Sequence, residues 1–267
     1  MADELLWAYC VLRAGDPAPA GVPAVEPAAA VEAVEAEGLV ALVSRVPDAQ
    51  FSAEPLRENL NDLRWLERVA RAHEAVLDQA LAEASIVPLR LCTLYESPER
   101  VREMLRSERD TLMDALDFLA GRQEWGVKVL IDRERLEEAV RGEDFAPAEP
   151  GSTSAGAAYL LRRRMEREER ESARALAAAL AEDVDSSMRS IALAAVTRPA
   201  QNRELSGYEG EMLLNAAYLV EAQRVADLRE RAAELAERHA AVGARIELTG
   251  PWPPYNFVPD GEPGVAA

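Results

Sequence analysis

The stretch EWGVKVLID, Glu124–Asp132, predicts how the second half of the chain folds. Its apolar residues at every second position, from Trp125 to Ile131, share one face, and Lys128 points from the other face. A period of two is typical of a β-strand with one buried side. The stretch is therefore predicted as a strand, and the elements that follow it are ordered from there.

After this strand the sequence predicts a helix, two strands, a helix and a last strand. The predicted elements are a helix over about Ala157–Asp183, strands over Ser187–Val196 and Glu211–Leu219, a helix over Glu221–Ala241 and a strand over Arg245–Thr249. Pro199, Asn202 and Gly207 predict a loop between the two middle strands. This order is that of the ferredoxin-like arrangement, an antiparallel sheet with two helices on one face.

The first half predicts a less regular mixture of strands and helices. The elements are strands over Leu5–Leu12, Gly38–Val43 and Ile86–Tyr95, a helix over Leu56–Ala84 and a helix from Ser97 to Gly121. The first helix has its apolar stripe at Leu60, Leu63, Leu66, Ala70, His73, Leu77, Leu81 and Ala84. The segment Val31–Glu37 fits either a short helix or the first arm of a hairpin.

These elements predict an α+β fold class with two domains. The expected boundaries are residues 1–122, residues 123–249 with the ferredoxin-like arrangement and a long charged helix, and a C-terminal tail over residues 250–267 that is rich in proline and aromatic residues.

Composition limits the partners that this chain can bind. Its 267 residues carry a formal net charge of −18, which repels nucleic-acid phosphate and anionic lipid, so neither nucleic acid nor membrane is an expected partner. Cys10 and Cys92 form no CxxC motif and are expected as buried free thiols in a reducing cytosol. No apolar run approaches the roughly 20 residues of a spanning helix, and the first residues lack a basic signal region, so a soluble, cytoplasmic protein is expected.

The sequence shows no constellation that supports catalysis. It contains none of the phosphate-binding, dinucleotide-binding, nucleophile-elbow or zinc-protease motifs, and its acids form no calcium-loop spacing. His73 lies on an apolar helix stripe and is interpreted as a satisfied core or interdomain histidine, and His239 lies in the last turn of a helix, where its charge suits the dipole. We therefore expect no enzyme, cofactor or metal.

Two segments are candidate protein-interaction surfaces. Arg162–Arg174 is almost entirely Arg and Glu, with Glu166 and Arg170 spaced to support the helix by a few tenths of a kcal/mol. Such a run is usually a solvated face, and the alternative is a projecting helix that meets a partner through Arg163, Glu166, Arg170 and Glu171. The second segment has Trp252, Tyr255 and Phe257 among three prolines, and either packs back on its own protein or docks on another subunit.

Several sequence blocks resemble one family together. They are DLRWLERVARAHEAVL at Asp62–Leu77, VPLRLCTLY at Val87–Tyr95, EWGVKV at Glu124–Val129, AYL at Ala158–Leu160, MLLNAAYLV at Met212–Val220 and LTGPWPPYNFV at Leu248–Val258. In this order they resemble the recurrent blocks of gas vesicle proteins GvpL and GvpF, and they span nearly the whole chain. The family commonly has Gly-Thr after the Pro-Leu-Arg segment, where this chain has Leu91-Cys92-Thr93.

The resemblance implies a role in gas vesicle formation without catalysis. Members of the family are minor structural or assembly components that contact the hydrophobic shell protein GvpA and other accessory gas vesicle proteins, in the cytoplasm and at the vesicle. The competing interpretation is a small-ligand-binding or enzymatic protein built on the ferredoxin-like half, because that scaffold hosts many functions.

Overall fold

The computed structural model describes residues 4–19, 21–144, 155–199 and 210–258. By the contacts among its residues the chain divides into two compact units. Unit 1 comprises Met1–Gln123 and Trp252–Ala267, and unit 2 comprises Glu124–Pro251. Each unit contains an antiparallel sheet with helices, so the fold is a mixture of α and β structure, as predicted.

Unit 1 contains five strands and five helices among the described residues. They are β1 (Glu4–Arg13), β2 (Val31–Ala36), β3 (Leu39–Pro47), α1 (Asp48–Phe51), α2 (Ala53–Asn59), α3 (Leu63–Glu83), β4 (Val87–Pro88), β5 (Leu94–Tyr95), α4 (Pro98–Ser107) and α5 (Arg109–Leu119). The strands form a sheet in the order β2-β3-β1-β4, with β5 also paired to β1. The longest pairing is that of β1 with β3, which are antiparallel from Glu4 opposite Pro47 to Arg13 opposite Leu39.

The segment Val31–Glu37, which fits either a short helix or the first arm of a hairpin, contains the strand β2. β2 pairs with β3 antiparallel, from Val31 opposite Ser44 to Ala36 opposite Leu39. Glu37 and Gly38 join the two strands with φ values of 52° and 78°. Two consecutive residues with positive φ form the tight turn whose twist suits a two-residue hairpin, and this turn selects the hairpin over the helix.

The helix predicted over Leu56–Ala84 is two helices. The side chain of Asp62 accepts hydrogen bonds from the backbone N–H groups of Arg64 and Trp65, so it begins a new helix after the end of α2. The predicted apolar stripe is wrong near this start, because Leu60 is 39% exposed and Leu63 is 78% exposed. The buried face consists of Trp65, Val69, His73, Val76, Leu77 and Ala80.

The strand predicted over Ile86–Tyr95 is interrupted by a turn. Within this stretch β4 and β5 pair with β1. Between them Thr93 donates to the Arg90 carbonyl from both its backbone N–H and its hydroxyl. Cys92 lies in this turn with a φ of 67°. The following helix is capped by Ser97, as predicted, but it is divided at Glu108 into α4 and α5.

The second half of the chain forms a second sheet with its own helices. The elements are β6 (Arg122–Ile131), α6 (Arg133–Asp144), α7 (Ala155–Arg189), β7 (Ala194–Thr197), β8 (Glu211–Glu221), α8 (Val225–His239) and β9 (Ala244–Trp252). The strand order in this sheet is β7-β8-β6-β9. One-turn 3-10 helices, Ala222–Arg224 and Ala240–Val242, flank α8.

In this half the sequence prediction misses one helix and places two element boundaries wrongly. α6 follows β6 where no helix was predicted, and Asp132 caps it by accepting from the backbone N–H groups of Glu134 and Arg135. α7 continues to Arg189, so the strand predicted from Ser187 is only the four residues of β7. β9 continues to Trp252, beyond the predicted end of the strand at Thr249.

The predicted buried face of β6 is confirmed. Trp125 and Ile131, at the two ends of the alternating face of β6, are 3% and 1% exposed. They pack in one cluster with Leu228 and Leu235 of α8 and with the second half of α7. Of the predicted loops, most of the stretch Gly142–Gly156 and the residues Asn202 and Gly207 lie outside the described residues.

Candidate interaction surfaces

The C-terminal aromatic segment is anchored to unit 1 through Tyr255. Pro253 and Pro254 are buried and Tyr255 is half-buried. The Tyr255 hydroxyl donates to Glu74 Oε1 at 3.4 Å and lies 3.2 Å from His73 Nε2. An amphipathic tyrosine thus packs its ring on the unit 1 core while its hydroxyl has polar partners.

His73 connects this segment to the first strand. Trp7 Nε1 donates to His73 Nδ1 at 2.9 Å, so the imidazole proton lies on Nε2. That proton faces the carbonyl oxygen of Leu89 at 3.3 Å and the Tyr255 hydroxyl. The imidazole also stacks on the Tyr9 ring, with 5.4 Å between the ring centroids. His73 is therefore a buried histidine whose two nitrogens both have partners, as predicted.

Burial controls the ionisation of this cluster. It lowers the pKa of His73 to about 4, against the weaker opposing effect of its hydrogen bond to Leu89. Burial also raises the pKa of Tyr255, with the neighbouring Glu74 carboxylate as the next cause, and it raises the pKa values of Glu74 and Asp78. Near neutral pH the imidazole is uncharged and serves as a hydrogen-bond bridge between β1 and the C-terminal segment.

The three aromatic residues of this segment lie in different environments. Trp252, at the end of β9, is 47% exposed. Tyr255 is the anchored residue, and Phe257 is partly buried. The sequence does not show this division, because it depends on which ring reaches the core of unit 1 and not on the neighbouring residues. Of the three side chains, Trp252 is the most exposed.

The described side chains in the first half of α7 are not buried. Every residue over the range 159–172 is exposed or half-buried, whereas Ala173, Leu180, Val184 and Met188 of the second half belong to the core of unit 2. Near the start of the helix Tyr159, Leu160 and Leu161 are 58%, 67% and 49% exposed. This half of α7 therefore presents both apolar and charged side chains to its surroundings.

The charged residues of α7 pair along the helix, but not as predicted. Arg164 binds Glu168 and Arg167 binds Glu171, each with 2.8 Å between nitrogen and oxygen, and Arg163 donates to the Tyr159 hydroxyl at 3.1 Å. The predicted pair of Glu166 with Arg170 is absent from the described part of the chain. Glu166 is half-buried while Arg170 is exposed, so the two side chains extend into different surroundings.

The described residues carry few features of other kinds of site. Among the described residues no group of three or more His, Cys, Asp or Glu side chains is placed to hold a metal ion. None of the helices in those same ranges combines the length and the apolar character needed to cross a bilayer. The cysteines are free thiols, and burial raises the pKa of both. His239 binds Asp183 at 2.8 Å and joins α8 to α7.

The fold and these surfaces define a class of mixed α and β protein with two antiparallel sheets, a C-terminal aromatic segment folded back onto the first sheet's unit, and a long charged helix. Comparison with known proteins identifies the family. The family model described as gas vesicle synthesis protein GvpL/GvpF matches residues 5–259. The chain therefore belongs to the GvpL/GvpF family of gas vesicle synthesis proteins.

Relatives by sequence agree with this assignment. Gas vesicle protein L of a Streptomyces species is 37% identical over 219 residues, which cover 82% of this chain and 79% of the relative. Gas vesicle protein L1 of Halobacterium salinarum is 28% identical over 240 residues, covering 86% of this chain and 81% of the relative. Family membership supports a role in gas vesicle formation.

Solved structures show the same fold. The crystal structure of gas vesicle protein GvpF from an Anabaena species matches with a TM-score of 0.68 at 18% identity, covering 95% of each chain. GvpF from Microcystis aeruginosa matches with a TM-score of 0.65 at 14% identity, covering 95% of this chain and 98% of that one. At these identities the likeness establishes the fold and nothing further.

Proposed function

We propose that the protein is a minor structural or assembly component of the gas vesicle that binds the shell protein GvpA and other gas vesicle proteins. It acts without catalysis, in the cytoplasm and at the vesicle. Family membership supports the setting, and the exposed half of α7 supports a binding role. Among the described side chains of α7 none over the range 159–172 is buried, and such a stretch gains little from packing within its own unit, so binding to a partner is a reason for its order.

Two surfaces carry this proposal. The first is the aromatic segment, in which Trp252 is exposed while Tyr255 is fixed by His73 and Glu74. A large aromatic side chain held in place by an anchored neighbour loses little entropy on binding, which is typical of a residue that dominates an interface. The second is the charged helix α7 with Arg163, Glu166, Arg170 and Glu171, a set that offers polar contacts around the apolar residues at its start.

We propose in addition a two-domain layout whose second domain is ferredoxin-like. The strand order β7-β8-β6-β9 supports this proposal, because the third strand of that half lies between the first and the second. Such a layout keeps the sheet of unit 2 covered on one face by α7 and α8, while much of the first half of α7 stays exposed beside its contact of Glu169 with Arg141 of α6.

The test is a pull-down with purified shell protein at several salt concentrations. Wild-type protein should retain the shell protein, and Trp252→Ala should weaken that retention at least about tenfold without changing thermal stability. Leu193→Ala is the matched control, since Leu193 is a similarly exposed apolar residue (52%) outside both surfaces. No association by the wild-type protein at any salt concentration would refute the binding role.

A second experiment separates the two forms of the proposal. If the protein remains with vesicles that have been floated and washed, it is a component of the wall. Recovery in the soluble fraction alone identifies an assembly factor that leaves the finished vesicle.

A further inference from the structure

The outer face of α7 carries a row of arginines. It consists of Arg163, Arg167, Arg170 and Arg174, all exposed, and is called the arginine stripe below. Their spacing of four, three and four residues places them on one side of a helix with 3.6 residues per turn, over a length of about 16 Å. In a chain with a net charge of −18, such a row is a local island of positive charge.

The outer face of α8 carries a complementary row of acids. It consists of Asp227, Glu230, Glu234 and Glu237, all exposed, and is called the acidic stripe. Their spacing of three, four and three residues also lies on one helix face, over about 15 Å. Three of the four, Asp227, Glu230 and Glu234, line a cavity of about 280 Å³ together with Ser190, Ile191 and two arginines, Arg224 and Arg231, which pair locally with Asp227 and Glu234. The acidic stripe therefore borders a concave surface.

The two stripes cannot meet within one molecule. Arg238 and His239, at the C-terminal end of α8, both bind Asp183 of α7. Asp183 lies nine residues beyond Arg174, which is about 14 Å along the helix. α8 thus contacts α7 well away from the arginine stripe, and its remaining length extends towards Ile191, whose carbonyl oxygen accepts from Arg224.

We propose that the arginine stripe of one molecule docks on the acidic stripe of a second copy. This inference rests on the proposed use of the charged helix as an interaction surface, and it names the partner of that surface. The local pairs, such as Arg167 with Glu171 and Arg231 with Glu234, are exposed and of little energy, so intermolecular pairs can replace them at small cost.

The charges determine what kind of association this is. Each exposed pair is weak, and copies with a net charge of −18 repel one another, so association depends on several pairs forming together. The contact joins two different surfaces, which leaves one stripe free at each end and allows chains longer than two copies. Because screening acts over about 8 Å at physiological ionic strength, association should weaken steeply with added salt.

The test is sedimentation velocity of the purified full chain across concentration and salt. Wild-type protein should form concentration-dependent oligomers that dissociate at about 0.5 M NaCl, where the screening length falls to about 4 Å and long-range attraction between the stripes is lost. Reversing the arginine stripe with Arg163→Glu, Arg167→Glu, Arg170→Glu and Arg174→Glu should give a monomer. Reversing the acidic stripe with Asp227→Lys, Glu230→Lys, Glu234→Lys and Glu237→Lys should also give a monomer.

Restored association is the decisive arm. Mixing the two reversed variants, or combining both reversals in one chain, pairs opposite charges again and should restore oligomers. The control variant carries Arg64→Glu, Arg68→Glu, Arg71→Glu and Arg106→Glu, which make the same change in net charge in unit 1 and should leave association intact. Circular dichroism verifies the fold of each variant.

Two results would overturn the proposal. One is a wild-type protein that stays monomeric at every concentration in low salt, and the other is an arginine-stripe variant that associates like the wild type. Neither result affects the pull-down with shell protein, because this experiment contains no other gas vesicle protein. Failure of the self-association and failure of the proposed function are therefore distinguishable.

Discussion

The hydroxyl of Tyr255 connects the last described segment of the chain to α3 by two hydrogen bonds. Tyr255→Phe removes that group and leaves the half-buried Glu74 carboxylate and the His73 N–H with one partner fewer. We expect a loss of about 1–2 kcal/mol in the free energy of unfolding, measured by urea denaturation. Tyr159→Phe is the control, since its hydroxyl bonds to the exposed Arg163 and its loss should cost less than about 0.5 kcal/mol.

The ionisation of His73 makes the stability of unit 1 depend on pH. The folded pKa of His73 is about 4, below the ordinary value of 6.5, so between these values the unfolded chain binds more protons. Stability is complete above about pH 6.5 and falls as the pH drops towards 4, by up to about 3 kcal/mol. Hydrogen exchange in β1 and β3, followed as a function of pH, measures this loss.

Two neighbouring carboxyl groups act in the opposite direction. Burial raises the folded pKa values of Glu74 and Asp78, so their contribution is present at low pH and is lost as the pH rises through those values. The variant Glu74→Gln should therefore show a steeper loss of stability on acidification than the wild type. A loss of equal size in His73→Gln and in the wild type would refute the assignment to His73.

Cys92 occupies a backbone conformation that favours glycine. Its φ of 67° brings the side chain of an L-residue close to its own backbone. We expect Cys92→Gly to raise the free energy of unfolding by about 1 kcal/mol, because glycine adopts this conformation without strain. Cys92→Ala keeps the strained Cβ atom and should give no gain, so equal effects of the two substitutions would contradict the role of strain.

At the scale of elements, Gly243 determines how α8 passes into β9. Its φ is +83°, and a Cβ atom there would lie 2.8 Å from Arg135 Cβ and 3.2 Å from Asp132 Cβ. Gly121 has a similar φ of +69° but open space around it. We expect Gly243→Ala to cost at least about 1 kcal/mol more than Gly121→Ala, since only the first adds a steric conflict to the backbone strain. Urea denaturation of both variants measures the difference.

Local signals in the sequence predicted most elements but not all of their ends. The alternating face of β6 follows from its period of two, and the helix that begins after Ser97 follows from its capping residue. Asp62 and Asp132 were not recognised as caps, and so the break before α3 and the whole of α6 were missed. An aspartate in a charged sequence becomes a cap only when the neighbouring backbone N–H groups turn towards it, and composition does not show that.

Some features of the candidate surfaces can be predicted from the sequence, and others depend on contacts that only the folded molecule makes. The row of charges on α7 and the aromatic segment were both visible as patterns, whereas the bridge from Trp7 through His73 to Tyr255 was not. That bridge joins residues 66 and 182 positions apart in the sequence, and only the fold brings them together. The acidic stripe on α8 likewise has the charge pattern of an ordinary solvated face. Only the fold shows that α8 contacts α7 away from the arginine stripe.

Unit 1 is closed by the end of the chain, and this gives a prediction at the scale of the whole molecule. Because Trp252–Ala267 belongs to unit 1 while unit 2 ends at Pro251, deleting residues 253–267 should destabilise one unit and spare the other. The deletion removes the buried Pro253 and Pro254 together with the Tyr255 ring, so we expect a loss of about 3 kcal/mol or more, beyond that of Tyr255→Phe. Hydrogen exchange should show faster exchange in β1 and β3 and unchanged protection in β8.

The matched control deletes residues 259–267 alone, which leaves the Tyr255 bonds in place and should preserve stability. Equal loss of protection in both units would mean that they unfold as one, and would contradict the separate closure of unit 1.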